Sequence, residues 1–195
     1  LRLTGRGSVS LPGLQNINGS SLYAGPASTI SLPQVTQYDH ASNGNYQQRT
    51  LRAEGVGSLI DLSGVTNITG GTHYNSRLFI EAVNGGNVKL SGTTTIGDPT
   101  TGVVQYRSID VSAIGTGSLV ELDALVSYSD EYAFDLGDGL YSTLKAAQGG
   151  EVRSPQLKTL KGVNLILDGT GHFNTVQVVS FTTGRMDISG VAVSY

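Results

Sequence analysis

The stretch Leu22-Tyr-Ala-Gly-Pro-Ala-Ser28-Thr-Ile-Ser-Leu-Pro33 repeats the pattern of Leu1-Arg-Leu-Thr-Gly-Arg-Gly7-Ser-Val-Ser-Leu-Pro12, 21 residues upstream. Leu51-Arg-Ala-Glu-Gly-Val-Gly57-Ser-Leu-Ile-Asp-Leu-Ser63 continues the series. Taking the second glycine of each segment as an anchor gives Gly7, Ser28, Gly57, Gly86, Gly117, Gly150 and Gly171. The anchors are 21, 29, 29, 31, 33 and 21 residues apart, a range that fits one coil of a solenoid with loops of variable length. Six positions before the anchor stand Leu1, Leu22, Leu51, Ile80, Val111, Leu144 and Leu165. Four before it stand Leu3, then the alanines 24, 53, 82, 113 and 146, then Leu167. Val9, Ile30, Ile60, Val88, Val120, Val152 and Phe173 follow the anchor, and a third segment carries Ile17, Tyr38, Ile68, Ile96, Tyr128, Leu160 and Phe181.

Alternation of apolar and polar residues over three to five positions makes short, half-buried strands. Glycine, proline and serine-glycine corners separate them. Stacked coils place like residues over like, so the apolar columns become an interior ladder, and the alanine column marks a corner where nothing larger fits. The coils at Gly57 and Gly117 need one extra residue just after the anchor, read as a bulge. Ser8, Ser58, Asn87 and Ser118 then form a candidate polar ladder. The expected fold is all-β: a single domain, residues 1–195, built as a right-handed parallel β-solenoid (β-helix). It has about seven coils, about three short strands per coil, and long loops on one flank. The hand follows from the rule for parallel crossovers. At an inter-strand spacing near 4.8 Å, seven coils make a rod about 34 Å long. Residues 118–134 also fit a helix, with Leu119, Leu122 and Leu125 at helical spacing and a Ser118/Glu121 capping pattern. Their column-by-column match to residues 57–68 overrides that reading.

Composition narrows the function classes. Twenty-seven glycines among 195 residues leave little room for long helices, and no strict third-residue glycine period supports collagen. An apolar share of 38% argues against disorder. A net charge of −3 argues against nucleic acid as a partner. No apolar run is long enough for membrane insertion as a helix. The absence of cysteine removes disulfides, cysteine-ligated zinc and thiol catalysis. The chain opens inside a strand at Leu1 and closes on another ending at Tyr195, without a candidate cap helix. The expectation is therefore a piece of a longer chain, or end-to-end self-association.

Four long connections, residues 39–50, 71–79, 98–110 and 129–143, leave from one corner and should lie side by side on one flank. They carry Tyr46, Tyr74, Tyr106, Tyr132 and Tyr141, with Arg49, Arg77 and Arg107 one to three residues after a tyrosine, and His40 and His73. Tyrosine combines a flat apolar face with a polar tip, which suits sugar stacking and protein interfaces alike. The candidate binding residues for carbohydrate or a partner protein are thus Tyr46, Arg49, His73, Tyr74, Arg77, Tyr106, Arg107, Tyr132 and Tyr141. The alternative is that tyrosine and arginine merely stack between successive loops and cover the flank. Tyr38 and Tyr128 occupy an inward column and read as core. Asp130, Glu131, Asp135 and Asp138 crowd one loop. They could hold Ca²⁺ as the one cofactor considered, act as an acid–base pair on a glycosidic bond, or simply be solvated. Their spacing matches neither an EF-hand nor the glycine-rich calcium repeat. The scattered histidines make a poor metal set, no Gly-x-Ser-x-Gly elbow supports a serine nucleophile, and no catalytic residue is assigned.

Segments such as Gly7-Ser-Val-Ser-Leu-Pro-Gly-Leu-Gln-Asn-Ile-Asn-Gly19 resemble repeats of large bacterial secreted and surface proteins with right-handed β-helix folds. These are the adhesin-like and filamentous-haemagglutinin-like exoproteins. The resemblance covers nearly the whole chain and concerns the scaffold. It implies an extracellular or cell-surface location and a structural or adhesive role. Pectate-lyase-like enzymes share that architecture and act on polysaccharides, which makes a lyase or hydrolase the alternative. A self-assembling fibre module is the third reading.

Overall fold

The computed structural model describes residues 1–133 and 140–190. Its strands form three parallel sheets that wind as a β-solenoid. Sheet I contains Arg2–Leu3, Leu22–Ala24, Gln48–Glu54, Arg77–Val83, Ser108–Ile114, Ser142–Ala147, Val163–Leu167 and Arg185–Ile188. Sheet II contains Gly7–Ser10, Ser28–Ser31, Leu59–Asp61, Asn87–Lys89, Leu119–Glu121 and Glu151–Arg153. Sheet III contains Gln37–Asp39, Asn67–Thr69, Thr95–Asp98, Ser127–Asp130, Thr159–Lys161 and Ser180–Thr182. Five of the seven sequence repeats form complete three-stranded coils. The first repeat has no strand in sheet III, and the seventh meets sheet II only through a single bridge between Glu151 and His172. Residues 118–134 give two strands and no helix among the described residues, as the column match requires.

Register pairs the expected columns. Leu51, Ile80, Val111, Leu144 and Leu165 align in sheet I, with the five alanines aligned two residues on. Tyr38, Ile68, Ile96, Tyr128, Leu160 and Phe181 align in sheet III. These side chains form one buried core. Tyr38 and Tyr128 are fully buried in it, and their hydroxyls donate to the carbonyls of Ser20 and Ile109. Thr93 takes a core position beside Val65 and satisfies its hydroxyl by donating to the Val65 carbonyl at 2.9 Å. At the last coil the core opens into an apolar cavity of about 540 Å³ that includes Leu160, Leu165, Phe181 and Met186.

The corner between sheets I and II corrects the anchor by one residue. The register puts Ser58 and Ser118, not Gly57 and Gly117, in line with Gly86 and Gly150. The extra residue therefore lies before the column, where Gly57 and Gly117 both have positive φ. Ser8, Asn87, Leu59 and Leu119 share an outward column instead of a serine ladder. Steric room explains the alternation. A Cβ on Gly86 would lie 2.2 Å from the Ala53 carbonyl oxygen and 2.8 Å from Ser58 Oγ, while a Cβ on Gly150 would lie 2.4 Å from the Ala113 oxygen. Serine fits at 58 and 118, where the turn is one residue longer. There its hydroxyl donates to the carbonyl of Gly55 or Ile114.

Candidate functional site

The long connections all leave the opposite corner, where sheet III hands over to sheet I. Period two continues one step past the inward Ile96 and Tyr128, so Asp98 and Asp130 also face inward, and they pair directly in register. The same column holds His40, Gly70 and Gly162. Both glycines make space for what lies beside them: a Cβ on Gly70 would sit 2.4 Å from Asp98 Oδ1, and one on Gly162 2.0 Å from the Asp130 carbonyl oxygen.

Arg107 fills the centre of this corner. Its guanidinium lies 2.7 Å from Asp98 Oδ2, with the two side chains 0% and 1% exposed. It also donates to the carbonyls of Gly71 at 3.0 Å, Thr101 at 2.8 Å and Pro99 at 2.5 Å. One side chain thus holds one oxygen of a carboxylate and three loop carbonyls from two successive connections. Burial pushes the Asp98 carboxyl up to about 8, against the lowering pull of Arg107 and helped by nearby Asp130. Asp130 is raised by burial as well, although its Oδ2 accepts from the Ser142 amide at 3.0 Å and hydroxyl at 2.8 Å. Two carboxyls and one guanidinium share a dry site, so the stable arrangement retains a proton on the pair. His40 is also fully buried. Its Nε2 lies 3.2 Å from the carbonyls of both Gln47 and Arg77, which assigns the proton to that nitrogen. Burial and the charge of Arg49 hold it below its ordinary value, hence neutral.

Outside this polar corner the loops stack as a ladder. The Tyr46 amide donates to the Tyr74 carbonyl, and the Asn75 amide to that of Gln105. The rings of Tyr46, Tyr74 and Tyr106 form a zigzag, each neighbouring pair 5.3 Å apart and nearly perpendicular. Tyr46 is 69% exposed and Tyr106 39%. The tyrosine part of the stacking alternative is therefore present, with Tyr46 the most exposed of the three residues.

The remaining candidates are dispersed. Arg77 turns onto the sheet I surface, where it meets Asp110 Oδ2 and Ser108 Oγ at 2.9 Å each and covers the Phe79 ring. Arg49 donates to the Gln48 carbonyl and to Gln47 Oε1. His73 Nδ1 lies 3.1 Å from Ser42 Oγ. Arg107 is sealed inside and not on the flank. Tyr132 and Tyr141 are half-buried on either side of residues 134–139. Of the calcium candidates, Asp130 points into the corner and Glu131 pairs with Lys161, so their carboxylates serve different partners. Asp135 and Asp138 lie outside the described residues. Among the described residues no group of three His, Cys, Asp or Glu side chains could hold a metal ion. Sequence reasoning missed Asp98 and Ser142 and placed His40 and Arg107, which are buried, among the flank-loop residues. The signal available was the period-two step beyond Ile96 and Tyr128.

Asp98, Asp130 and Arg107 are buried and interact with one another at this corner. The flank exposes Tyr46 and Tyr106 among polar loop residues such as Asn43, Asn45 and Gln105, on backbone hydrogen-bonded from loop to loop. Comparison with known proteins found no matching family model, curated protein or solved structure.

Proposed function

We propose that this protein is a structural and adhesive β-solenoid segment of an extracellular bacterial protein, and that its loop flank binds carbohydrate or a partner protein. The observation that carries the binding part is the Tyr46–Tyr74–Tyr106 ridge, with exposed rings on a flank that the buried corner makes rigid. Aromatic rings held in place lose little conformational entropy on binding, so exposed area is used efficiently. The bacterial and extracellular setting rests on the resemblance of the repeats to surface β-helix proteins. The test is a glycan array together with adhesion to cell surfaces, run on the wild-type chain and on a Tyr46→Ala/Tyr106→Ala double variant. Binding that the double variant loses supports the reading; no ligand, or binding indifferent to both tyrosines, removes it. A second reading, stacking of another copy on the last coil, is favoured by Val176, Val179 and Met186, which are exposed beside the apolar cavity. Sedimentation at rising concentration tests it, and a strict monomer overturns it.

A further inference from the structure

We propose that Tyr46 and Tyr106 are two rungs of one platform for an extended, neutral, β-linked polysaccharide lying parallel to the rod axis. The inference rests on the carbohydrate branch of the function proposed above and names its ligand class.

Three observations carry it. First, the two residues are register equivalents. Gln48, Arg77 and Ser108 align in sheet I, so Tyr46, Asn75 and Tyr106, each two residues earlier, occupy one column on three successive coils. Tyr46 and Tyr106 are therefore two inter-strand steps apart, about 10 Å along the axis. That is comparable to the length of two β-1,4-linked pyranose units, after which such a chain presents the same sugar face again. Second, all three residues have left-handed backbone, with φ of 60°, 53° and 57°. Asparagine is at home in that region and tyrosine is not. The loop conformation does not call for tyrosine at 46 and 106, since Asn75 achieves it between them. Strain carried at a repeated, exposed position points to a use for the side chain. Third, Tyr74 from the middle coil stands nearly perpendicular to both rings at the same 5.3 Å, which fixes their orientation before a ligand arrives.

Charge selects a neutral polymer. Arg77 is paired with Asp110, and Arg107 is sealed against Asp98. Arg49, three residues after Tyr46, is half-buried and donates within its own loop, to the Gln48 carbonyl and Gln47 Oε1. A protein partner would not need the two-coil period, whereas a polymer with a two-residue repeat matches it.

The experiment titrates the whole chain with cello- and chito-oligosaccharides of two, four and six units by calorimetry, and pellets it with insoluble cellulose and chitin. A disaccharide covers one ring; a tetrasaccharide reaches both. For at least one of the two series, affinity is expected to rise at least tenfold from two units to four and to level off by six. Tyr46→Asn and Tyr106→Asn keep the backbone preference of the column and are each expected to abolish that gain, with thermal unfolding checked in parallel. Equal affinity for two and four units overturns the two-rung platform while leaving a tyrosine-dependent carbohydrate site in place. Tyrosine-dependent binding of a protein, with no binding to any of these glycans, overturns the platform and keeps an adhesive ridge. No binding that depends on either tyrosine overturns both.

Discussion

Two of the three corners of each coil are built from opposite chemistry. Between sheets I and II the corner is made by removing atoms: five stacked alanines, and glycines at 86 and 150 whose hydrogens face backbone carbonyls of the preceding coil. Between sheets III and I it is made by pairing charges: Asp98, Asp130 and Arg107, with neutral His40 further along the same column. The dry corner has no room, so its turns hold to three or four residues between the alanine and the column. The polar corner carries donors that reach loop carbonyls, so it accepts connections of very different length and still gives them a rigid base. This explains why the loops, and with them the exposed tyrosines, are all on one side.

The sharpest way to break the contrast is to remove the donor. Arg107→Ala leaves two buried carboxyls without their counter-charge and the carbonyls of Gly71, Pro99 and Thr101 without that donor. Breaking a buried pair from one side costs about 3–5 kcal/mol. Urea unfolding should show that loss. A cost below about 1 kcal/mol would mean the corner is wet and the pair exposed.

At the dry corner the corresponding change adds one carbon. Gly86→Ala places a Cβ against the Ala53 carbonyl, a backbone atom fixed by the ladder, so the coil must shift. Overpacking of this kind costs about 1–3 kcal/mol. Ser58→Ala, in the same column on the coil with the longer turn, removes only the hydroxyl that donates to Gly55 and should cost about 1 kcal/mol. A Gly86→Ala variant as stable as wild type would show that the column can relax.

The two corners also differ in how far they could be read from sequence. The dry corner repeats its residue types, so the alanine column and a glycine anchor stand out by inspection. Only the one-residue offset was hidden, because glycine in a turn and glycine in a strand look alike until register separates Gly57 from Ser58. The polar corner repeats a position and not one residue type: His40, Gly70, Asp98, Asp130 and Gly162 mix histidine, glycine and aspartate in one column. Charged residues near a long loop read as surface, which put Arg107 among the binding candidates and Asp130 among the calcium ligands. Continuing the inward period one step would have placed Asp98 and Asp130 correctly; nothing local would have paired Arg107 with them. The tyrosines were found as loop residues, but their zigzag depends on the unequal lengths of adjacent loops, which only the ladder between loops resolves.

The pH dependence separates the corners again. Asp98 ionises near its ordinary 3.8 when unfolded and near 8 in the folded corner. Between these values the folded state keeps a proton that the unfolded state has released. The contribution of this group to stability is therefore complete below about pH 4 and is lost as the pH rises towards 8, levelling off above. For one proton the slope is at most about 1.4 kcal/mol per pH unit. Unfolding midpoints at pH 5 and pH 8 should differ in that sense, and Asp98→Asn should flatten the difference. A slope of the opposite sign would mean the ion pair with Arg107 holds Asp98 charged.

The smallest expected effect lies on the outer skin of the polar corner. Tyr46→Asn relieves left-handed backbone that a tyrosine tolerates poorly, a gain of about 1 kcal/mol. It also removes the edge contact with Tyr74, a loss of about 0.5–1.5 kcal/mol. The two nearly cancel, so thermal unfolding should move by less than about 0.5 kcal/mol. Tyr46→Ala loses the ring without the backbone gain and should be destabilised by about 1 kcal/mol. That pair of outcomes would show the tyrosine to be neutral for the fold as a whole, held in place by its neighbour at a backbone position that asparagine fills at least as well. A side chain kept where stability does not ask for it is one kept for what it touches outside the molecule. If Tyr46→Asn instead cost as much as Tyr46→Ala, the ring would be part of the scaffold, and the ridge would belong with the buried corner beneath it.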